Sequence, residues 1–149
     1  MRDLLGKAHD PAFWAEVREG ELYRPLRDSL LSRYETEGRD AIPALPYSAY
    51  RRFHYDGDRD EYEKPYFKRR RVMNTLAVLA LIYPEKTEYL TALMDLIYAV
   101  CDEYTWCLPA HQTELGVNNN RHIDLFAAET GYCLAEIYTL LGVLIVVYD

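Results

Sequence analysis

The chain has 149 residues, of which half are apolar and 13% are aromatic, so it can fold as one domain with a hydrophobic core. Its formal net charge of −7 argues against a protein that binds nucleic acid or anionic membranes through a dominant basic face. We therefore expect a single domain over residues 1–149.

The N-terminal residues and the cysteines indicate the compartment. The first ten residues lack the apolar stretch of a secretory signal, and no apolar run approaches the length of a membrane-spanning helix. Cys101, Cys107 and Cys133 are odd in number and lie in apolar helical patterns, which favours small buried side chains over a disulfide framework. These features predict a soluble, cytoplasmic protein.

The first part of the chain predicts two helices. Asp10 and Pro11 form an N-cap followed by proline at the first helical position, so a short helix begins there and ends near Gly20. Apolar residues at helical spacing predict the next helix over 24–37, and Gly38 is placed to end it.

The middle of the chain alternates breaks and helices. Two prolines in 42–46 predict an extended connection, and a short helix follows over 48–54. The Asp-Gly-Asp sequence at 56–58 is a break, after which a long helix is predicted over 60–83. Pro65 is an alternative start for this helix.

Two further helices have the strongest periodicity. They are predicted over 87–104 and 124–141, because apolar residues recur there every three or four positions. The expected buried stripes are, in the first, Leu90, Leu93, Ile97, Val100, Cys101 and Tyr104, and in the second, Phe126, Thr130, Cys133, Leu134, Ile137, Tyr138 and Leu141. No segment before Gly142 alternates as a strand does, so the fold class is all-α.

An apolar, β-branched run follows Gly142 and ends the printed sequence. Such a run is unfavourable in water. It is expected to pack on the helices, to lie in a contact between chains, or to mark the front piece of a longer protein.

The basic run at 68–71 is Lys-Arg-Arg-Arg. Guanidinium groups pair with carboxylate or sulfate, so the run could bind an anionic polymer. A solvated turn at the start of a helix, balanced by Glu61 and Glu63, is the favoured interpretation.

A metal site is not predicted. Cys101, Cys107, His111 and His122 have spacings unlike the tight ligand pairs of zinc sites.

The connection between the last two predicted helices is unusually rich in polar and aromatic residues. Trp106 either packs in the core or offers a flat platform to a sugar ring in a cleft. His111 and His122 could transfer protons or could only satisfy backbone groups; the structural role is favoured for His122. Asp124 is read as the N-cap of the last helix.

A run of three asparagines precedes Arg121 in the same connection. Turn formation explains them, since asparagine tolerates left-handed dihedrals. Their amides, with the guanidinium group, would also suit the hydroxyl and carboxylate groups of a saccharide.

The order of these features resembles the N-terminal region of the heparinase II/III-like polysaccharide lyases. The matching elements are Glu-Tyr-Thr-Trp at 103–106, Leu-Pro-Ala-His at 108–111 and Ile-Asp-Leu-Phe-Ala-Ala-Glu-Thr at 123–130. The similarity covers roughly 50–141. It implies antiparallel helical hairpins that form part of an incomplete α/α toroid.

The resemblance implies β-elimination of uronic-acid-containing polysaccharides by the full-length family. In that family the catalytic asparagine, tyrosine and histidine lie further along the chain, in later toroid helices and beyond, and a β-sandwich region follows. The printed sequence contains none of these segments, so no catalytic residue is assigned and the chain is expected to be inactive alone. No cofactor is expected. The expected substrate-binding residues are Trp106, His111, Gln112, Asn119, Asn120 and Arg121.

Two other hypotheses remain. The chain could be a stand-alone helical module that forms a homo-oligomer through its apolar C-terminal run. It could also be a complete small enzyme that uses His111 and His122 with a tyrosine. The favoured function is the N-terminal helical part of a heparinase II/III-like lyase, with an acidic polysaccharide as partner and neither nucleic acid nor membrane.

Overall fold

The computed structural model describes residues 6–112 and 122–147, with side chains as far as residue 142. These residues form an all-α fold without strands, as predicted. The α-helices are α1 (Pro11–Glu19), α2 (Arg24–Arg33), α3 (Tyr47–Tyr50), α4 (Arg52–Asp56), α5 (Asp60–Ile82), α6 (Thr87–Cys101) and α7 (Leu125–Val147).

Helix α5 is the centre of the fold. The short connection to α6 makes these two helices an antiparallel hairpin, and α1, α2 and α7 also pack against α5. The main core includes Val72, Met73, Leu76, Leu79, Ile82, Leu93, Leu96, Val100, Ile137 and Leu141. A second, mostly aromatic core joins α3 and the first half of α5, and contains Ala49, Tyr50, Tyr62, Tyr66 and Leu108.

Local signals set several helix ends, as the sequence predicts. The Asp10 carboxylate accepts a hydrogen bond from the Ala12 N–H at 2.9 Å, which caps α1. The Gly20 N–H donates to the Glu16 carbonyl and ends α1. Gly57 ends α4 with a φ of 79°, a left-handed conformation that favours glycine.

The predicted helix over 24–37 changes character before its end. Helix α2 stops at Arg33, and one wider π-helical turn over Tyr34–Gly38 follows. Gly38 is the last residue of this turn, and a Cβ atom there would lie 2.7 Å from the buried Tyr34 ring. The position therefore has no room for a side chain unless that ring moves.

Pro65 does not start the long helix, which begins at Asp60. Two ion pairs between residues one turn apart, Arg59 with Glu63 and Lys64 with Asp60, stabilise the helix before the proline. The alternative start is therefore wrong.

Three predictions of burial are wrong. Helix α6 ends at Cys101, which is exposed, and Tyr104 lies beyond the helix with its side chain largely in solvent. The chain leaves the helix because Glu103 turns toward two arginines of α5. Tyr138 also lies on the exposed side of α7.

The last helix continues past the predicted end at residue 141. Helix α7 runs through Gly142 to Val147, so the described part of the apolar run is helical. Among residues 6–112 and 122–147, no helix is both long enough and apolar enough to cross a membrane.

Candidate functional site

Trp106 lies at the edge of a cleft between the end of α6 and the start of α7. Its indole N–H donates to the Val100 carbonyl at 2.8 Å, and its ring lies 3.8 Å from the position of a Cβ atom on Gly131. The ring is half-buried against the main core. The cleft has a volume of about 380 Å³ and is lined by Cys101, Glu103, Tyr104, Thr105, Trp106, His122, Ile123, Ala127, Ala128 and Gly131.

The structure shows Trp106 partly in the core and partly at the edge of a cleft, while its role as a platform for a sugar ring stays a prediction. One portion of the indole packs on the core and its N–H is fixed, while another portion borders the cleft. A ligand in the cleft would meet the apolar ring and would not reach the N–H donor.

A buried charge cluster lies beneath this cleft. The Glu103 carboxylate accepts hydrogen bonds from Arg69 at 2.9 Å and from Arg70 at 2.7 and 3.1 Å. The three side chains are only 10%, 11% and 3% exposed for Arg69, Arg70 and Glu103. Arg69 also donates to the carbonyls of Pro43 and Ala99. Partners on all sides offset the cost of burying these charges.

Arg70 connects three parts of the fold. Its Nε donates to the Thr130 hydroxyl of α7 at 3.1 Å, and its guanidinium lies 3.3 Å from the centre of the Tyr66 ring. The Tyr66 hydroxyl donates to the Trp106 carbonyl at 2.6 Å. Burial raises the pKa of Tyr66 to about 12. Helix α5 thus fixes the backbone on which the Trp106 ring is mounted.

The basic run at 68–71 is not a solvated first turn. It lies in the middle of α5, and each of its four residues pairs with a carboxylate. Lys68 pairs with Asp40, and Arg71 pairs with Glu37. Glu61 and Glu63, expected to balance the run, pair instead with Arg52 and Arg59. The solvated-turn prediction is wrong because the partners come from distant parts of the sequence.

His111 and Asp124 form a second polar pair. The His111 Nδ1 lies 2.7 Å from Asp124 Oδ2, and the imidazole stacks on the Phe126 ring at 5.5 Å between centres. Asp124 also accepts from the Leu108 N–H at 3.1 Å and, through Oδ1, from the Ala127 N–H at 2.7 Å. This last bond confirms Asp124 as the N-cap of α7.

Opposing effects act on the pKa of Asp124. Burial raises it, but the N–H groups of Ala127 and Leu108, together with His111, lower it further, so the pKa lies below its usual value. The carboxylate is therefore charged and holds the connection against the N-terminus of α7.

The six expected substrate-binding residues do not lie together in one site among the described residues. Trp106 lines the cleft, and His111 lies beside Phe126, partly exposed, outside the set of cleft-lining residues. Gln112 is buried, at 5% exposure. The remaining three, Asn119, Asn120 and Arg121, lie outside the described residues.

Sequence reasoning missed two residues of this region. Tyr104 was assigned to a buried stripe, but it lines the cleft and is 61% exposed. Glu103 received no role beyond its place in the Glu-Tyr-Thr-Trp element, although it is the carboxylate partner of both Arg69 and Arg70. Its partners are more than 30 positions away, so no local pattern indicates the pairing.

The described histidine, cysteine and acidic side chains do not gather in groups of three or more that could hold a metal ion. Comparison of the sequence with known protein families gives no match, and comparison with curated proteins finds no similar sequence.

Proposed function

We propose that this chain is a saccharide-binding helical domain, corresponding to the N-terminal part of a heparinase II/III-like polysaccharide lyase. A uronate-containing oligosaccharide would bind in the cleft beside Trp106. The observation that carries the proposal is the lining of this cleft, where Trp106 and the exposed Tyr104 stand next to His122.

The size and chemistry of the cleft support a sugar ligand. A volume of about 380 Å³ lies within the range of small-molecule sites. Aromatic rings pack against the apolar faces of sugar rings, while imidazole and phenol groups exchange hydrogen bonds with hydroxyl groups. Tyr104 and His122 can supply these polar contacts because both side chains border the cleft.

The buried charges near the cleft do not repel an anionic sugar. Glu103 is the one charged side chain among the described residues that line the cleft, and it pairs with both Arg69 and Arg70. A uronate group would therefore meet a carboxylate whose charge is offset by two guanidinium groups, although the whole chain carries a charge of −7.

The same charges argue against elimination in this cleft by the chain alone. The reaction requires a group that neutralises the uronate carboxylate, a base and an acid. Arg69 and Arg70 both pair with Glu103. Among the described residues of the site, neither guanidinium group can therefore neutralise a uronate carboxylate without breaking that pair. Binding without turnover follows.

A calorimetric titration with uronate-containing oligosaccharides tests the proposal. We expect saturable binding that Tyr104→Ala weakens by about tenfold, because the change removes one of the two aromatic contacts. Tyr98→Ala is the matched control, since Tyr98 is an exposed tyrosine of α6 that does not line the cleft. Equal affinity of both variants, or no binding by the unaltered chain, would contradict the proposal.

A second candidate function is self-association through α7. Leu125, Tyr132 and Tyr138 of this helix are exposed. The exposed positions Leu125, Ala128, Tyr132, Ala135 and Thr139 recur every three or four residues and carry no charge. Two copies could bury this stripe against each other across a two-fold axis, because one stripe can complement itself in that arrangement.

Sedimentation equilibrium distinguishes this candidate from a monomeric saccharide-binding domain. A dimer that Tyr132→Glu dissociates would support self-association through α7. A dimer unaffected by this change, or a monomer at every concentration, would exclude this face as the contact.

A further inference from the structure

A larger cleft lies on the opposite flank of Arg69, between α5, α6 and the connection that follows the π-helical turn. Its volume is about 640 Å³. The floor is apolar and is formed by Val72 and Leu76 of α5 and by Ala92 and Leu96 of α6. This cleft shares no lining residue with the Trp106 cleft.

The positive charges that line this cleft are already paired. Arg69 pairs with Glu103, and Lys68 pairs with Asp40 at 2.6 Å. Arg39 pairs with Glu35 at 2.9 Å. A ligand therefore finds no unpaired cation among the described lining residues.

The negative charges of the lining are only partly paired. Glu37 and Asp40 are held by Arg71 and Lys68. Glu88 and Asp95 also line the cleft and are exposed, and within the described part of the chain neither forms an ion pair. The Lys86 ammonium, which is close in sequence, lies over two tyrosine rings instead. The cleft therefore presents two excess carboxylates above an apolar floor.

The helical geometry separates these two carboxylates along the cleft. Glu88 and Asp95 are seven positions apart, which is two turns of α6 and about 10 Å at 1.5 Å per residue. The small side chain of Ala92 lies between them and leaves the floor open. An apolar body can rest on the floor while an ammonium group reaches either carboxylate.

We propose that this cleft binds a small organic cation, an alkyl- or arylalkylammonium compound whose apolar part covers the floor and whose single charge pairs with either Glu88 or Asp95. A volume of about 640 Å³ accommodates a ligand of this class. This site is independent of the saccharide cleft, and an acidic saccharide has the wrong charge for it.

Three probes of the same shape test the charge requirement: phenylbutylamine, phenylbutanol and phenylbutyrate. Binding is followed by chemical-shift changes of the backbone amides of α6. We expect the amine to bind about fivefold more tightly than the alcohol, and the carboxylate to bind most weakly, since two exposed carboxylates line the cleft. Equal binding of the three probes, or no binding of the amine, would overturn the proposal.

Two variants locate the site. In the double variant Glu88→Gln with Asp95→Asn, the amine and the alcohol should bind with about equal affinity. The double change Glu16→Gln with Asp102→Asn alters the net charge equally at exposed positions outside the cleft and should leave the advantage of the amine over the alcohol intact. Identical behaviour of the two double variants would show that the carboxylates of the cleft do not hold the amine.

Ala92→Leu tests the apolar floor. The larger side chain occupies the space between the two carboxylates and should weaken binding of the amine and of the alcohol alike. Undiminished binding of the amine to a folded Ala92→Leu protein would overturn the proposed position of the ligand.

Discussion

Arg70 and Glu103 form a two-point ion pair between positions 33 residues apart: Nη1 lies 3.1 Å from Oε1, and Nη2 lies 2.7 Å from Oε2. The pair joins the middle of α5 to the connection that carries Trp106. Because Arg69 binds the same carboxylate, one acidic side chain holds two buried guanidinium groups.

Removing the Glu103 carboxylate should lower the free energy of unfolding. Glu103→Gln leaves two buried cations without their charged partner, so we expect the free energy of unfolding to fall by about 3 kcal/mol. Glu37→Gln removes the more exposed pair with Arg71 and should cost less than about 1 kcal/mol. Urea unfolding of both variants measures the difference. Similar losses would show that burial does not raise the importance of the Glu103 cluster.

The N-cap of α7 predicts a dependence of stability on acid pH. The folded protein holds the pKa of Asp124 below its ordinary value of about 3.8, so it favours the charged form. The resulting stability is present above that ordinary value and is lost as the pH falls through the lower pKa of the folded state.

Asp124→Asn should remove this contribution. The asparagine can still cap the helix, but the contact between a carboxylate and His111 is lost. We therefore expect the free energy of unfolding to fall by about 1 kcal/mol at pH 7 and to depend less on pH in acid. Asp10→Asn, at the exposed cap of α1, is the control and should change little. Urea unfolding at several pH values gives the comparison, and an Asp124→Asn protein with an unchanged dependence on pH in acid would contradict it.

Tyr66 predicts a loss of stability in alkali. Burial raises its pKa from about 10 to about 12, so the fold favours the neutral phenol. This contribution is complete below pH 10 and is lost as the pH rises through about 12. Tyr66→Phe should cost about 1 kcal/mol at pH 7, because the hydrogen bond to the Trp106 carbonyl is lost, and should make the alkaline decline shallower.

The exposed Tyr55→Phe variant is the control for this series, since Tyr55 lies outside both cores. Unfolding free energies from pH 9, about one unit below the ordinary pKa of tyrosine, up to pH 12, at the raised pKa of Tyr66, provide the measurement. The same alkaline decline in all three proteins would exclude Tyr66 as its cause. Some decline should persist in the Tyr66→Phe protein because burial also raises the pKa of Tyr62.

Two glycines should respond to alanine in opposite directions. Gly57 has a φ of 79° and open space around it, so Gly57→Ala should destabilise by about 1 kcal/mol through backbone strain alone. Gly131 lies inside α7, where a Cβ atom would make an ordinary contact with Trp106, so Gly131→Ala should stabilise by roughly 0.5–1 kcal/mol. Thermal unfolding distinguishes the two, and a shift of the same sign in both would contradict this account.

Sequence reasoning worked where the signal is local. Asp10, Gly20, Gly57 and Asp124 set helix ends through bonds to residues at most four positions away or through their own backbone angles. The all-α class follows from apolar periodicity in the same way. Antiparallel neighbours were expected, and the α5–α6 hairpin is one such pair. The toroid remains a prediction.

The errors over the end of α6 and over the basic run share one physical cause, which is contact between distant segments. The helix predicted to reach Tyr104 stops at Cys101, because Glu103 leaves the helical path to meet Arg69 and Arg70. No periodic pattern contains this information. The burial of Gln112 and the two unpaired carboxylates above the larger cleft likewise depend on packing rather than on spacing along the chain.

The indole N–H signals of the protein test the saccharide-binding proposal most directly. The chain has two tryptophans, so its two-dimensional nitrogen–proton spectrum contains one indole signal for Trp106 and one for Trp14, which a Trp14→Phe variant assigns. On titration with a uronate-containing oligosaccharide, we predict a saturable shift of the Trp106 signal and none of the Trp14 signal. No shift of Trp106 at saturating oligosaccharide, or equal shifts of both, would contradict the proposal.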